Sequence, residues 1–276
     1  MLTDYGLTDP FTGILKGVIA QIAPEVKIID LTHGISSGDI LRGAINLWQA
    51  KQYFPQGTIF LCVVDPGVGT SRQGILVESG GYSFIGPDNG LFTFNYVGDF
   101  KVRELNNPTY FLPMISETFH GRDIFAPVAA HLARGVPPEE FGPVITDLIR
   151  LPLPQLDILT AGTLRCECLF SDKFGNMVTS LGKFQKKLET LEFSPWITPD
   201  PLKAPHISYP IKNLILLLTN GKRISWVNTF AAISKGECAF LIGGSGLLEI
   251  AANQQSATYL LGLKAGEPVI LKSEGD

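Results

Sequence analysis

The chain has 276 residues, of which 45% are hydrophobic and 17% are charged, and its formal net charge is -4 at pH 7. At this length, folding buries about three quarters of the surface that the unfolded chain exposes, which excludes disorder as the main state. Because no basic run of five or more residues is present, we expect neither a nucleic acid nor an anionic membrane surface as a partner.

The apolar runs and the cysteines bear on where the chain resides. Runs such as Leu214–Leu218 are far shorter than the roughly 20 residues that span a membrane, and no signal peptide is evident. These features predict a cytoplasmic protein whose thiols are reduced and buried. Cys166 and Cys168 are two positions apart, so on a strand they would face the same side.

The first half of the chain alternates helix and strand patterns. Apolar spacing predicts a helix over Gly13–Ile22, and Asp39 is a candidate N-cap for a second helix. The continuous apolar runs Val26–Leu31 and Thr58–Val64 are typical of buried strands. The alternation predicts an α/β domain with a mainly parallel sheet over residues 1–152.

The second half of the chain shows a different pattern of predicted elements. A last helix is expected over about Asp123–Ala133, and the proline-containing stretch after Leu151 suits a linker. From Gly162 onward the patterns indicate only strands and turns, and Asn220-Gly221 between two apolar runs is a hairpin signal. The sequence therefore predicts an all-β second domain over residues 160–276.

Two carboxylates follow strands of the predicted sheet. Asp4 follows Met1–Thr3, which we expect to be a first strand cut short at its beginning, and Asp65 follows the third strand. Ligands bind outside the carboxyl ends of parallel strands, so both positions are candidates for a site. Asp65 opens a turn in which Gly67 and Gly69 would let a ligand approach the backbone closely. A tight turn capped by aspartate is an equally good interpretation.

Three further segments carry candidate functional groups. His120 precedes a predicted helix, whose N-terminus disfavours imidazolium, so we expect a neutral ring that accepts a hydrogen bond or a proton. A capping or surface histidine is the alternative. Ser171–Asn176 and Gly243–Ala251 offer an aromatic face, amides and exposed backbone, as a purine nucleoside requires. Either segment alone would also fit an ordinary hairpin.

Taken together, motifs spread in order over nearly the whole chain resemble the S-adenosyl-L-methionine hydroxide adenosyltransferases, relatives of the fluorinase and chlorinase enzymes. The motifs are Thr3-Asp4-Tyr5-Gly6 with Lys16-Gly17, Asp65–Thr70 with Arg72, Pro87–Gly90, Phe119–Asp123, Phe174–Asn176 and Gly246–Ala251. The resemblance implies hydrolysis of S-adenosyl-L-methionine to adenosine and L-methionine by attack of water or hydroxide on the ribose C5′, without a metal or other cofactor. It also implies a barrel-like C-terminal domain. It further implies a homotrimer whose sites lie between the N-terminal domain of one subunit and the C-terminal domain of the next.

The same resemblance implies roles for individual residues. The water-handling group would be Asp65, Arg72 and His120. Substrate binding would involve Asp4 at the ribose hydroxyls, Asp9 and Asp172 near the methionine amino group, Asn176 at the adenine edge, Phe174 and Phe230 at the adenine face, and Ser245 or nearby backbone N–H groups at the methionine carboxylate.

Three alternatives remain open from the sequence. Synthesis of a 5′-halo-5′-deoxyadenosine is disfavoured, because the halide-using relatives differ at the positions of Asp65 and His120. A non-catalytic module that binds a nucleoside or S-adenosyl-L-methionine would need Asp4, Phe174 and Asn176. It would not need Arg72 or His120. A metal-dependent hydrolase would use Asp4, Asp9, Asp65 and His120, yet no histidine pair or carboxylate-rich loop supplies a full coordination shell.

Overall fold

The computed structural model describes residues 1–160, 162–194 and 207–273. The chain divides into two units, Met1–Leu151 and Pro152–Asp276. Within the described ranges, no helix is long and apolar enough to cross a membrane.

The helices of the first unit lie close to where the sequence predicts them. They are α1 (Phe11–Ile22), α2 (Ile40–Lys51) and α3 (Ala126–Ala133). The buried apolar face of α1 is formed by Leu15, Val18 and Ile19, which are three to four residues apart, whereas Phe11 and Ile14 are exposed. Asp39 caps α2, because its carboxylate accepts a hydrogen bond from the backbone N of Arg42 at 3.0 Å. The predicted start of α3 at Asp123 instead lies in a π-helical turn, Gly121–Phe125.

The sheet of the first unit is mixed. Its strands are β1 (Leu2–Thr3), β2 (Ile59–Val63), β3 (Gly74–Ser79), β4 (Tyr82–Pro87) and β5 (Lys101–Glu104). They pair in the order β1-β2-β4-β3-β5. The β1–β2 and β2–β4 pairs are parallel, and the β4–β3 and β3–β5 pairs are antiparallel. Two of the four pairings are parallel and two are antiparallel, so the prediction of a mainly parallel sheet is not confirmed. Only Gly80 and Gly81, both at positive φ, connect β3 to β4, and so short a turn can join only antiparallel strands.

The apolar run Val26–Leu31 does not form the strand predicted for it. It passes beside β1, where a single parallel bridge pairs Leu2 with Thr32. Leu31 N donates to Met1 O at 2.8 Å and Thr3 N donates to Thr32 O at 3.0 Å, so the end of the run meets the sheet edge without forming a regular strand. Val26 and Ile29 are exposed, so the run is not the buried element that its composition indicates.

The second unit is built around a barrel, as expected. Its strands are β6 (Leu156–Thr160), β7 (Thr163–Ser171), β8 (Met177–Thr179), β9 (Lys183–Lys187), β10 (Thr190–Ser194), β11 (Ile207–Pro210), β12 (Leu214–Leu218), β13 (Arg223–Trp226), β14 (Cys238–Ile242), β15 (Leu248–Ala252) and β16 (Pro268–Ser273). In the described part of the chain, the pairing β7-β16-β12-β13-β14-β15-β8 returns to β7 and closes a seven-strand barrel. β6 pairs with β7 outside the ring, and β9 to β11 form a separate antiparallel sheet.

The second unit also contains helical segments that the all-β prediction lacks, among them two 3-10 turns, Ile211–Asn213 and Phe230–Ala232. Ala257–Leu261 forms a short helix, α4, whose N-cap Ser256 accepts a hydrogen bond from Tyr259 N. Two other predictions for this unit are confirmed. Cys166 and Cys168 both point into the barrel core, and β12 and β13 form a hairpin around Asn220-Gly221.

Candidate active site

Asp4 and Asp65 lie at the same edge of the mixed sheet. β1 and β2 are parallel, with Thr3 opposite Val63, so the loops that follow the two strands emerge side by side. The backbone N of Gly38 donates to Oδ2 of Asp4 at 2.8 Å and fixes that carboxylate. The sheet thus brings the two acidic side chains to one edge.

The turn after β2 carries a buried ion pair. Nε and Nη2 of Arg72 donate to Oδ1 and Oδ2 of Asp65 at 2.9 and 2.5 Å, a bidentate geometry in which both groups are held rigidly. Only 8% of the Arg72 side chain and 5% of the Asp65 side chain are exposed. Asp65 is therefore more than a turn cap, because both of its oxygens bind the guanidinium.

His120 completes this cluster. Its Nδ1 lies 2.8 Å from Nη2 of Arg72. A guanidinium can only donate, so Nδ1 accepts this hydrogen bond and the neutral ring carries its proton on Nε2. Burial lowers the pKa of His120, and the Arg72 charge lowers it further, whereas Asp65 and Asp123 act in the opposite direction. The expected neutral imidazole thus has a different main cause from a helix N-terminus.

Backbone contacts hold the two loops of the cluster together. Gly69 has a φ of +77°, and a Cβ at this position would collide with the carbonyl oxygen of Glu117. Glycine is required there both for the turn and for the close approach. On the other loop, the fully buried Asp123 accepts a hydrogen bond from Ser116 N at 2.8 Å. These contacts fasten the segment that leads to His120.

Asp9 is not brought to the cluster. It lies in the exposed turn before α1. The contacts of the described residues do not connect it to Asp4 or to Asp65. Its side chain is therefore available at the surface of the first unit, apart from the ion pair.

In the second unit, Asp172 organises the turn that carries Phe174 and Asn176. Its Oδ1 accepts from the backbone N of both residues at 2.8 and 2.9 Å, and its Oδ2 accepts from Nδ2 of Asn176 at 2.9 Å. Between them Gly175 has a φ of +85°. A carboxylate that the resemblance places near the methionine amino group is thus already engaged in forming its own turn.

This turn borders a cavity of ≈ 600 Å³ in the second unit, which we call the aromatic cavity. Its lining residues are Phe174, Asn176, Phe230, Ala252, Gln254, Gln255 and Ser256. Phe174 is 68% exposed and Phe230 is 49% exposed. The backbone N of Thr258 donates to Gly175 O at 3.0 Å and ties the two bordering loops together. Two open rings and an amide suit a flat ligand with a polar edge, such as a purine.

Ser245 lies in a glycine turn at the end of β14. Gly246 N donates to Gly243 O at 2.9 Å and closes the turn, and Oγ of Ser245 accepts a long hydrogen bond of 3.4 Å from Leu247 N. The carboxylate of Glu249 packs over Gly243, where a Cβ would collide with it. Burial, followed by the charge of Asp172, raises the pKa of Glu249 to about 7.

Two of these residues were not predicted from the sequence. Glu249 had a detectable signal, because it is an acid between the buried apolar residues Leu248 and Ile250 of one strand. Gln254 had none. It borders the aromatic cavity with a φ of +58°, a conformation that costs a non-glycine residue free energy and that no pattern at a glutamine indicates.

Both halves of the chain match models of one enzyme family. Residues 1–142 match the SAM hydroxide adenosyltransferase N-terminal domain, and residues 166–270 match the C-terminal domain of the same family. The chain belongs to the SAM hydroxide adenosyltransferases. The resemblance drawn from the sequence motifs is thereby confirmed.

Individual relatives agree with this assignment. An (R)-S-adenosyl-L-methionine hydrolase of Thermus thermophilus is 38% identical, over 98% of this chain and 97% of the relative. A fluorinase of Actinoplanes sp. is 27% identical, over 96% and 94%. The crystal structure of an uncharacterized conserved protein from Thermotoga maritima superposes with a TM-score of 0.83 at 30% identity, over 98% of each chain.

The candidate residues fall into both matched regions of the adenosyltransferase. The Asp65–Arg72–His120 cluster and Asp4 belong to the N-terminal domain, and the aromatic cavity belongs to the C-terminal domain. Among the residues that the structure describes, no group of three or more His, Cys, Asp or Glu side chains is arranged to hold a metal ion.

Proposed function

We infer that the chain hydrolyses S-adenosyl-L-methionine to adenosine and L-methionine, with water or hydroxide attacking C5′ of the ribose. The observation that carries this conclusion is the Asp65–Arg72–His120 cluster, whose side chains come from two loops and meet through hydrogen bonds of 2.5 to 2.9 Å. Such a cluster supplies fixed donors and one anionic acceptor around a single oxygen. Membership of the adenosyltransferase family supports the same activity.

The substrate provides its own leaving group. A bond forms between the water oxygen and C5′ while the electron pair of the C5′–S bond moves to sulfur, and the sulfonium departs as the neutral thioether of methionine. The protein therefore has to hold one water in line with the C5′–S bond and to lower the cost of removing its proton.

We propose that Arg72 and His120 donate to the attacking oxygen and that Asp65 accepts its proton. The bidentate bond to Asp65 holds the guanidinium in one orientation. While Nδ1 of His120 accepts from Arg72, the Nε2–H can only donate, so His120 orients the oxygen rather than deprotonating it. Asp65 is the anion of the cluster, and each of its oxygens retains a lone pair.

The remaining roles follow the positions of the side chains. We propose that Asp4 accepts from the ribose hydroxyls, since Gly38 occupies its Oδ2 and leaves Oδ1. Adenine would lie against the rings of the aromatic cavity with Asn176 at its edge. The methionine end would meet Asp9, Asp172 and Ser245, with Asp172 acting from its fixed place in the turn.

The configuration at sulfur is part of the proposal. The Thermus thermophilus relative is named a hydrolase of the R epimer. We propose that this chain acts on the same epimer, so the two sulfonium epimers are assayed separately. Faster turnover of the S epimer would contradict this point and leave the hydrolysis itself intact.

An isotope experiment tests the reaction. The chelator-treated protein is incubated with each epimer in ¹⁸O-labelled water, with and without fluoride or chloride, and the nucleoside is analysed by mass spectrometry. We expect adenosine that carries the label on its 5′ oxygen. Intact substrate would support a binding module, a 5′-halonucleoside would support halide transfer, and loss of turnover with the chelator would support a metal enzyme.

We further propose a homotrimer in which the cluster of one subunit and the aromatic cavity of the next serve one substrate. The support is that the two sets of residues lie in different units of the chain. Co-expression of Arg72→Ala subunits, which lack turnover, with Phe174→Ala subunits, which bind substrate weakly, tests it when turnover is measured well below KM. With sites shared between subunits, random mixing restores about a quarter of the sites. No recovery, or a monomer in sedimentation, would refute the proposal.

A further inference from the structure

The side chain of Tyr5 is held in place beside the catalytic cluster. Its backbone N donates to Oγ1 of Thr3 at 3.2 Å. Its ring packs edge-on against Phe11 and Phe119, with centroid separations of 6.0 and 5.9 Å. These contacts leave the ring one orientation, with the hydroxyl at its far end.

The hydroxyl of Tyr5 lies against the backbone next to His120. A Cβ placed on Gly121 would collide with Oη of Tyr5, whereas Cζ and Cε2 of the same ring would stay 3.4 and 3.6 Å from it. Gly121 directly follows His120 in the chain. The phenolic oxygen thus lies against the backbone one residue after His120.

The phenol also lies close enough to Asp4, Asp65 and Arg72 for their charges to affect it. Burial raises the pKa of Tyr5 well above its ordinary value; the carboxylates of Asp4 and Asp65 raise it further and the Arg72 guanidinium opposes them. The hydroxyl therefore keeps its proton over the working pH range and can act as a donor. Among the described residues it has no hydrogen-bond partner.

We propose that Oη of Tyr5 donates a hydrogen bond to the oxygen that attacks C5′, as a third donor beside Arg72 and His120. This inference rests on the proposed hydrolysis. In the reaction the water oxygen bonds to C5′, the C5′–S pair leaves with sulfur, the water proton passes to Asp65, and Tyr5 keeps its own proton. Its donated hydrogen bond stabilises the negative charge that develops on the attacking oxygen.

The variant Tyr5→Phe tests the proposal, because it removes the hydroxyl and keeps the ring contacts. We expect kcat to fall about 10- to 150-fold, as for loss of one hydrogen bond to a charged group, with KM and the melting temperature unchanged. The loss should shrink at high pH, where hydroxide forms without the extra donor. Tyr110→Phe, a tyrosine of the same unit packed against Phe141, is the matched control.

A double-mutant cycle tests the geometry independently of catalysis. Gly121→Ala should destabilise the wild-type chain by collision with Oη, and should cost less stability in the Tyr5→Phe background. Equal kcat for wild type and Tyr5→Phe, an equal fall with Tyr110→Phe, or absence of coupling to Gly121 would overturn the inference. Absence of labelled adenosine from the wild type would instead refute the hydrolysis on which it rests.

Discussion

The Asp65–Arg72–His120 cluster of the first unit and the aromatic cavity of the second are built in opposite ways. Arg72 and Asp65 are more than nine-tenths buried and bond to each other, whereas the rings of Phe174 and Phe230 remain largely open. The groups that we propose act on developing charge are therefore held in place before substrate arrives, so their arrangement costs no free energy during the reaction. The rings that we propose bind the base are exposed, and covering them with a ligand is favourable. Changes in the cluster should alter turnover, and changes in the cavity should alter affinity.

The largest effect is expected for Arg72→Ala. We expect kcat to fall about 100- to 1,000-fold, because a fixed charged donor is lost, while the Kd of adenosine is unchanged. Removing one partner also leaves the Asp65 carboxylate buried and unpaired, so the free energy of unfolding should fall by about 3–5 kcal/mol. Steady-state kinetics, calorimetry and urea unfolding measure the three quantities. The double variant Asp65→Asn with Arg72→Ala should recover stability but not turnover. If Arg72→Ala lowered adenosine affinity as much as it lowered kcat, the division between a cluster that sets turnover and a cavity that sets affinity would be contradicted.

The second-largest effect is expected in the aromatic cavity, where a substitution should lower affinity and leave turnover unchanged. Phe174→Ala should weaken adenosine binding about tenfold, since stacking on a base contributes about 1–3 kcal/mol, with kcat at saturating substrate unchanged. Tyr259→Ala removes an exposed ring from α4, outside the cavity lining, and should leave binding intact. If Phe174→Ala lowered kcat rather than affinity, the proposal that the cavity sets affinity and the cluster sets turnover would be contradicted.

The third effect concerns the backbone that supports the cluster. In Gly69→Ala, the alanine would have to adopt a left-handed φ, and its Cβ would collide with the carbonyl oxygen of Glu117. We therefore expect a loss of stability of about 1–3 kcal/mol and a several-fold lower kcat. Gly98 also has a positive φ, yet a Cβ there meets nothing within 4 Å. Gly98→Ala should therefore cost only the backbone strain and leave kcat unchanged. Equal kcat losses for both variants would contradict a positioning role for the close approach.

The smallest effect is a pH dependence through His120. Its pKa is lowered in the folded chain from the ordinary value of 6.5, so below pH 6.5 the unfolded state binds the proton first. The contribution of His120 to stability is therefore complete above pH 6.5 and is lost as the pH falls from there toward the folded pKa. The acid limb of kcat should have its midpoint below 6.5. A midpoint above 6.5, or the same acid loss of stability in His120→Gln, would contradict a partly buried, neutral ring.

Much of the local structure could be predicted because its cause is local. The spacing of apolar residues places α1, and Asp39 caps α2 through a bond to a residue three positions away. The Asn220-Gly221 hairpin follows from the left-handed φ that glycine adopts. Strand direction at β3 and β4 was also available in principle, since the Gly80-Gly81 pair is a hairpin turn. The prediction failed there because apolar runs alone were used to infer a parallel sheet.

The sequence by itself determined the family, the two sets of candidate residues and the main helices. Motifs and the spacing of apolar residues can be recognised there because they involve residues only a few positions apart. Only the tertiary structure decided which nitrogen of His120 accepts a hydrogen bond from Arg72, since 48 positions separate the two residues. It likewise decided that Asp172 forms its own turn and that the hydroxyl of Tyr5 meets Gly121. Such contacts depend on how the loops pack once the sheet has formed, and no short-range pattern encodes that packing.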